Sequence, residues 1–146
     1  MRNKFDTYSV SITDLDRKWY HIDAAGMTLG RLASKVANIL RGKTKTMFQP
    51  NMDLGDFVIL TNIDQIKVTG NKEIGKVYYS YSGFPGGIKS YTFGALLAKN
   101  PEKVIHHAVK GMLPKGRIGA PMLTRLKAYS GAEHPHQAQK PETIQI

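Results

Sequence analysis

Gly26-Met27-Thr28-Leu29-Gly30-Arg31 stands where a strand would turn into a helix, the place at which dinucleotide enzymes hold a pyrophosphate. The spacing is Gly-x-x-x-Gly, whereas close backbone approach to a pyrophosphate needs Gly-x-Gly-x-x-Gly. No acid ends the next apolar run to hold a ribose; Thr61-Asn62 stand there instead. The segment predicts a helix N-terminus with exposed N–H groups beside Arg31, an arrangement that suits an anion such as an RNA phosphate. Arg41-Gly42-Lys43-Thr44 ends like a P-loop, but the first glycine that motif requires falls on Ala37, and the segment follows a helical pattern rather than a strand. Its value lies in the three cations Arg41, Lys43 and Lys45, with the Thr44 and Thr46 hydroxyls between them, all able to reach phosphate oxygens.

The remaining reactive types make no catalytic set. His134-Pro135-His136 places two imidazoles at i, i+2, which share a metal only with further ligands, and the chain has no cysteine to supply one. These histidines are expected to pack the tail or to contact RNA. His106 and His107 face adjacent sides of a helix, and His21, inside a strand, reads as a structural histidine. Asp53 and Asp56 flank Leu54-Gly55, a turn that caps a strand rather than a carboxylate pair for acid–base work. No serine sits in a nucleophile elbow. Zero cysteines also exclude disulfides and thiol mechanisms.

Two loops carry binding chemistry. Residues 78–89 (YYSYSGFPGGIK) join aromatic rings, which can stack on unpaired bases, to Gly86-Gly87, where a bare backbone can approach another closely. The rings serve equally well as the packed side of a hairpin. Residues 110–117 (KGMLPKGR) repeat the theme with cations, stiffened by Pro114.

Elements to hold these loops follow from periodicity. Residues 19–24 (WYHIDA) read as a first strand. Leu29, Leu32, Ala33, Val36, Ala37 and Leu40 recur at helical spacing, with Thr28 as N-cap and Gly42 at the C′ position. The continuous apolar run 56–61 (DFVILT) fits a strand buried on both faces, so strand, helix and strand form a βαβ unit with parallel strands. A short strand is expected over 65–69, a hairpin from 76–81 and 88–92, and a helix over 93–99. Asn100-Pro101 then caps a further helix with Val104, Ala108 and Met112 as its stripe. Helical turns over 121–126, a brief strand over 127–130 and an extended tail over 132–146 complete the chain.

With 146 residues the chain suits one domain preceded by an N-terminal extension over 1–15, and a hydrophobic fraction of 41% suffices for a core. Apolar runs stop at four residues, as in Phe57–Leu60, too short for a bilayer span. The first sixteen residues have no apolar signal core, and Asp6, Asp14 and Asp16 are unlike a transit peptide. A soluble, intracellular protein with no membrane partner is expected. The formal charge is +10, from 21 Lys and Arg against 11 Asp and Glu. It is unevenly placed: seven bases and one acid lie between residues 17 and 45, and six bases and one acid between 100 and 130. Such clustering becomes favourable when the surface meets a polyanion and releases its counterions.

The segments WYHIDAAGMTLGRLASKVANILRGK (19–43), DLGDFVILTN (53–62), VTGNK (68–72), KVYYSYSGFPGGIK (76–89), VKGMLPKG (109–116) and the tail from LKAYSG to HPHQAQKP (126–141) together resemble the L13 family of large-subunit ribosomal proteins in its bacterial and plastid form. The resemblance implies an α/β fold, three-layer α/β/α with a small, mostly parallel sheet, carrying the Gly-rich hairpin and the basic loops. It implies a structural constituent that binds large-subunit rRNA, supports early subunit assembly, contacts neighbouring ribosomal proteins and catalyses nothing. No cofactor, metal or small-molecule substrate is implied, and the location is the ribosome of a bacterial cytoplasm or a plastid stroma. The family's RNA-facing parts correspond here to 86–89 and 110–117. The expected contacts are phosphates for Arg31, Lys35, Arg41, Lys43 and Lys45; the hairpin residues Lys72, Lys76, Tyr79, Tyr81, Gly86, Gly87 and Lys89; the loop residues Lys110, Lys115 and Arg117; and Arg125, His134 and His136 beyond them. A free RNA-binding protein that represses a message, or a nucleotide-binding enzyme built on the first strand–helix turn, are the alternatives.

Overall fold

A computed structural model describes residues 10–11 and 15–145. The expected N-terminal extension over 1–15 falls almost wholly outside the described residues. Strand β1 (Trp19–Asp23) leads through a turn into helix α1 (Leu29–Arg41), which returns the chain to strand β2 (Phe57–Thr61). The strands pair in parallel, Trp19 opposite Phe57 through Asp23 opposite Thr61. The βαβ unit is thus the one that the apolar spacing predicts. Its helix turns Leu29, Leu32, Ala33, Val36, Ala37 and Leu40 inward. Full burial of such a side chain is worth about 1.5–3 kcal/mol, so this stripe fixes the helix on the sheet. Gly42 ends α1 at φ 79°, the left-handed conformation that glycine adopts without strain.

A short helix α2 (Lys72–Gly75) precedes the antiparallel hairpin β3 (Val77–Tyr81) and β4 (Ile88–Thr92), which forms a two-stranded sheet of its own. Helix α3 (Phe93–Lys99) starts on the Thr92 side chain, which accepts from Ala95 N. Helix α4 (Pro101–Met112) starts on Asn100, whose side chain accepts from Lys103 N. Helix α5 (Gly119–Thr124) and strand β5 (Leu126–Ala128) follow, a residue or two ahead of the expected boundaries. Strand β6 (Glu142–Thr143) closes the order β5-β2-β1-β6, with every neighbouring pair parallel.

Three expectations need correction. Residues 65–69 form no strand; Ile63–Gln65 is a 3-10 turn, and only a single bridge, Thr28 to Lys67, carries the pairing. The buried stripe of α4 is Val104, Ile105 and Val109, while Met112 is 46% exposed. That helix packs on both α1 and α3; Ala108 packs at the edge of the core as expected, and only Met112 turns outward. The tail, expected to be extended, makes a 3-10 turn at Gln137–Gln139 and supplies β6, a two-residue edge strand that leaves no periodic trace in the sequence.

The two faces of the sheet are covered differently. Ile22, Val58, Leu60 and Leu126 face the core beneath α1 and α4. On the opposite face Trp19 stacks on Phe57 at 4.2 Å, and the tail lies across them. His136 accompanies Trp19 and bonds the Tyr129 hydroxyl at 2.8 Å, and His134 sits 5.2 Å from His21. The His21 Nε2 pairs with Thr61 Oγ1 at 3.0 Å, so His21 is the structural histidine that its strand position suggests. Burial, then the adjacent His134, hold its imidazole below the ordinary value.

Candidate nucleic-acid interface

Helix α4 carries two kinds of residue at helical spacing. Val104, Ile105 and Val109 are buried, and Lys103, His107 and Lys110 (i, i+4, i+7) are exposed on another face. The exposed face is the floor on which the predicted loops converge.

On one side of α4 the hairpin leans over it. Its register places Tyr78 opposite Tyr91 and Ser80 opposite Lys89 on one face, and Val77, Tyr79, Tyr81 and Ile88 on the other. The hairpin turn is tied by Ser82 N to Gly87 O at 3.1 Å and Gly87 N to Phe84 O at 2.9 Å, which makes the 82–87 loop a defined shape. Gly86 takes φ 72°, and Gly87 leaves no room for a side chain beside Ser82. Gly86 is exposed, whereas Gly87 is half-buried by its own turn. Between hairpin and α4 lies a cleft of about 440 Å³ lined by Tyr78, Tyr91, Lys89, Lys103, His107 and Lys110.

Lys110 also borders a second cleft of about 460 Å³ with Leu113, Pro114 and Lys115. Here the basic loop closes over Gly119, where a Cβ would meet Pro114 O at 1.9 Å, so only glycine lets loop and α5 meet. Lys115 and Arg117 stand exposed on this loop. A third concavity, about 740 Å³, lies at the N-terminal end of α1 between Thr28, Gly30, Arg31, Lys72, Lys76 and the last turn of α4. Gly30 is part of this wall, and the turn before it is held by Gly26 N to Gln65 O at 3.1 Å and Leu29 N to Lys67 O at 3.0 Å.

The other predicted residues divide. Lys35 and Lys43 are exposed, and Arg41 is half-buried with its guanidinium 5.5 Å above the Phe48 ring. Lys45 is bound internally: its ammonium pairs with the buried Asp56 at 2.6 Å and donates to Asp16 O at 2.9 Å. Arg125 is corrected outright. Its side chain is 4% exposed, its guanidinium grips the Asp53 carboxylate through both terminal nitrogens, and it donates to Leu40 O at 3.2 Å. A cation so enclosed holds α1 and the 53–56 segment together and offers nothing to a nucleic acid. The expected turn at Leu54-Gly55 is absent, since 53–56 is irregular chain leading into β2; Asp53 pairs with Arg125, and Asp56 accepts from Lys18 N at 3.0 Å. His134 and His136 pack the tail against the sheet. Tyr79 and Tyr81 are 72% and 64% exposed, so neither ring belongs to the core.

Of the cleft residues, Tyr78 is expected only as part of the 78–89 loop, and Tyr91, Lys103 and His107 are not among the expected contacts. The 103–107–110 spacing on α4 was a legible signal for the last two. No local signal placed the hairpin over that face. Among the described residues no group of three or more His, Asp or Glu is placed to hold a metal, and no helix is long and apolar enough to cross a membrane.

These features define a basic α/β protein whose exposed cations line loop-walled clefts around α4. The model of the ribosomal protein L13 family matches residues 17–135, and the chain belongs to that family, whose members are structural rather than catalytic. It is 56% identical over 140 residues to the large ribosomal subunit protein uL13 of Brevibacillus brevis, covering 96% of this chain and 97% of that one. It is 55% identical to uL13 of Symbiobacterium thermophilum over 96% of this chain and 98% of that one, and 53% identical to uL13 of a Cyanothece species over 96% and 94%.

Proposed function

We propose that this chain is a structural constituent of the large ribosomal subunit, of bacterial or plastid type, that binds large-subunit rRNA and supports early subunit assembly. One observation carries the RNA contact: Arg31, Lys72 and Lys76 on one side of α4, and Lys89, Lys103, Lys110 and Lys115 on the other, line three concavities that share this helix as their wall. Such a surface follows a folded RNA with phosphate contacts from several elements at once. Lys35, Lys43, Arg41 and Arg117 extend the cationic surface beyond the clefts. The relatives' identity as large-subunit proteins supports the assignment to that particle and the expectation of ribosomal protein neighbours.

Sedimentation of a lysate with detection of this chain across the gradient tests the reading. Co-migration with large subunits and their precursors after a moderate-salt wash is the expected result. Recovery only at the top of the gradient would refute it.

A further inference from the structure

The cleft between the hairpin and α4 differs from the other two concavities in its chemistry. Rings form much of its wall: Tyr78 and Tyr91 from the inner face of the hairpin. Lys89, Lys103 and Lys110 supply ammonium groups, and no carboxylate among the described residues lines it. The Tyr78 hydroxyl is buried and has no hydrogen-bond partner, although its ring is held between Lys76, 5.2 Å from its centroid, and His107, 5.7 Å away. Native proteins leave few buried hydroxyls unsatisfied, so this one is open to a further hydrogen bond. Lysines are donors only, so the acceptor this hydroxyl lacks is not one they can provide.

We infer that this cleft takes one unpaired nucleotide of the bound RNA, with its phosphate among Lys89, Lys103 and Lys110, its base against the tyrosine rings and an acceptor of the nucleotide on the Tyr78 hydroxyl. The inference rests on the RNA-binding reading and sharpens it. A concavity of about 440 Å³ is of the size that encloses a small molecule. A duplex is too wide to enter it and presents its phosphates on a convex surface, with the base edges of its major groove out of reach of side chains. Rings and cations in one recess match the combination by which single-stranded RNA is held, stacking for the base and charge for the backbone. The other two concavities have no tyrosine in their walls and suit phosphates alone.

Ultraviolet cross-linking of the full chain to purified large-subunit rRNA, followed by digestion and mass spectrometry, locates the contact. Equilibrium binding of the same RNA to Tyr78→Phe and Tyr91→Ala, both checked for folding by thermal unfolding, measures it. The expected result is a nucleotide adduct on the peptide carrying Tyr78. Binding should weaken about fivefold for Tyr78→Phe, the loss of one hydrogen bond. Tyr91→Ala should lose about tenfold with its salt dependence unchanged, because stacking releases no counterion. Adducts confined to the 110–117 loop, with both variants within twofold of wild type, would overturn the nucleotide cleft and leave rRNA binding standing. Failure of the wild-type chain to bind the rRNA at all would overturn both.

Discussion

Arg125 and Asp53, 72 positions apart in the chain, form a two-pronged ion pair beneath the C-terminal end of α1, and the same guanidinium donates to Leu40 O. Removing one partner strands the other as an uncompensated, largely buried charge. Asp53→Ala is expected to lower the free energy of unfolding by about 3–5 kcal/mol, whereas replacing both residues by apolar ones of similar volume should recover most of that loss. Denaturant unfolding of the single and double variants checks both statements.

In the basic loop Leu113 packs into the core, while Lys115 and Arg117 stand outside it. Lys115 and Arg117 are exposed, and neither has an ion pair among those found in the described residues. The double replacement by Ala should weaken rRNA binding and reduce the slope of log affinity against log salt by about 1–2. Titration of binding at several salt concentrations measures the slope, and an unchanged slope would remove this loop from the RNA face.

Gly119 lets that loop reach α5. A methyl group there would sit 1.9 Å from Pro114 O. Backbone must shift to admit it, so Gly119→Ala should cost about 1–3 kcal/mol of stability, the usual range for overpacking. It should also weaken rRNA binding by displacing Lys115, even though no charge has been removed. Thermal unfolding and RNA titration of the same variant give both readouts.

Acid should loosen the face of the sheet under the tail. Burial and the neighbouring His134 keep the His21 imidazole below its ordinary 6.5, against an opposing pull from Asp23. The unfolded chain therefore binds this proton more readily than the folded one. The stability that neutral His21 contributes is complete above 6.5 and falls as the pH drops below that value, until the depressed folded-state value has been passed. Unfolding followed at several pH values should show this decline, and His21→Gln should flatten it. Trp19, the only tryptophan, lies within the same cluster and gives a fluorescence signal for it.

The strand–turn–helix segment at Gly26 has Gly-x-x-x-Gly spacing, not the Gly-x-Gly-x-x-Gly that brings a backbone close to a dinucleotide. Millimolar NAD or ATP should leave the melting temperature nearly unmoved, whereas a ligand at a hundred times its Kd would add about 2.7 kcal/mol. A thermal shift of several degrees would revive the nucleotide-enzyme reading.

The sequence by itself determined the elements whose signals are local. The 3.6-residue stripe of α1, the Gly42 cap, the apolar run of β2, the Asn100-Pro101 restart and the hairpin flanking Gly83–Gly87 all depend on neighbours within a few positions, and each lies close to where it was expected. The family resemblance and the excess of cations were equally legible. Tertiary structure alone decided which cations face solvent. Lys115 and Arg125 are both basic residues in one stretch of chain, yet one is exposed and the other is sealed against a carboxylate that no local pattern connects to it. It likewise decided that a two-residue strand would close the sheet, and that the 103–107–110 face of α4 would lie under tyrosines from the hairpin. Burial, ion pairing and edge pairing depend on partners brought together by folding from distant positions, and no local periodicity encodes that proximity.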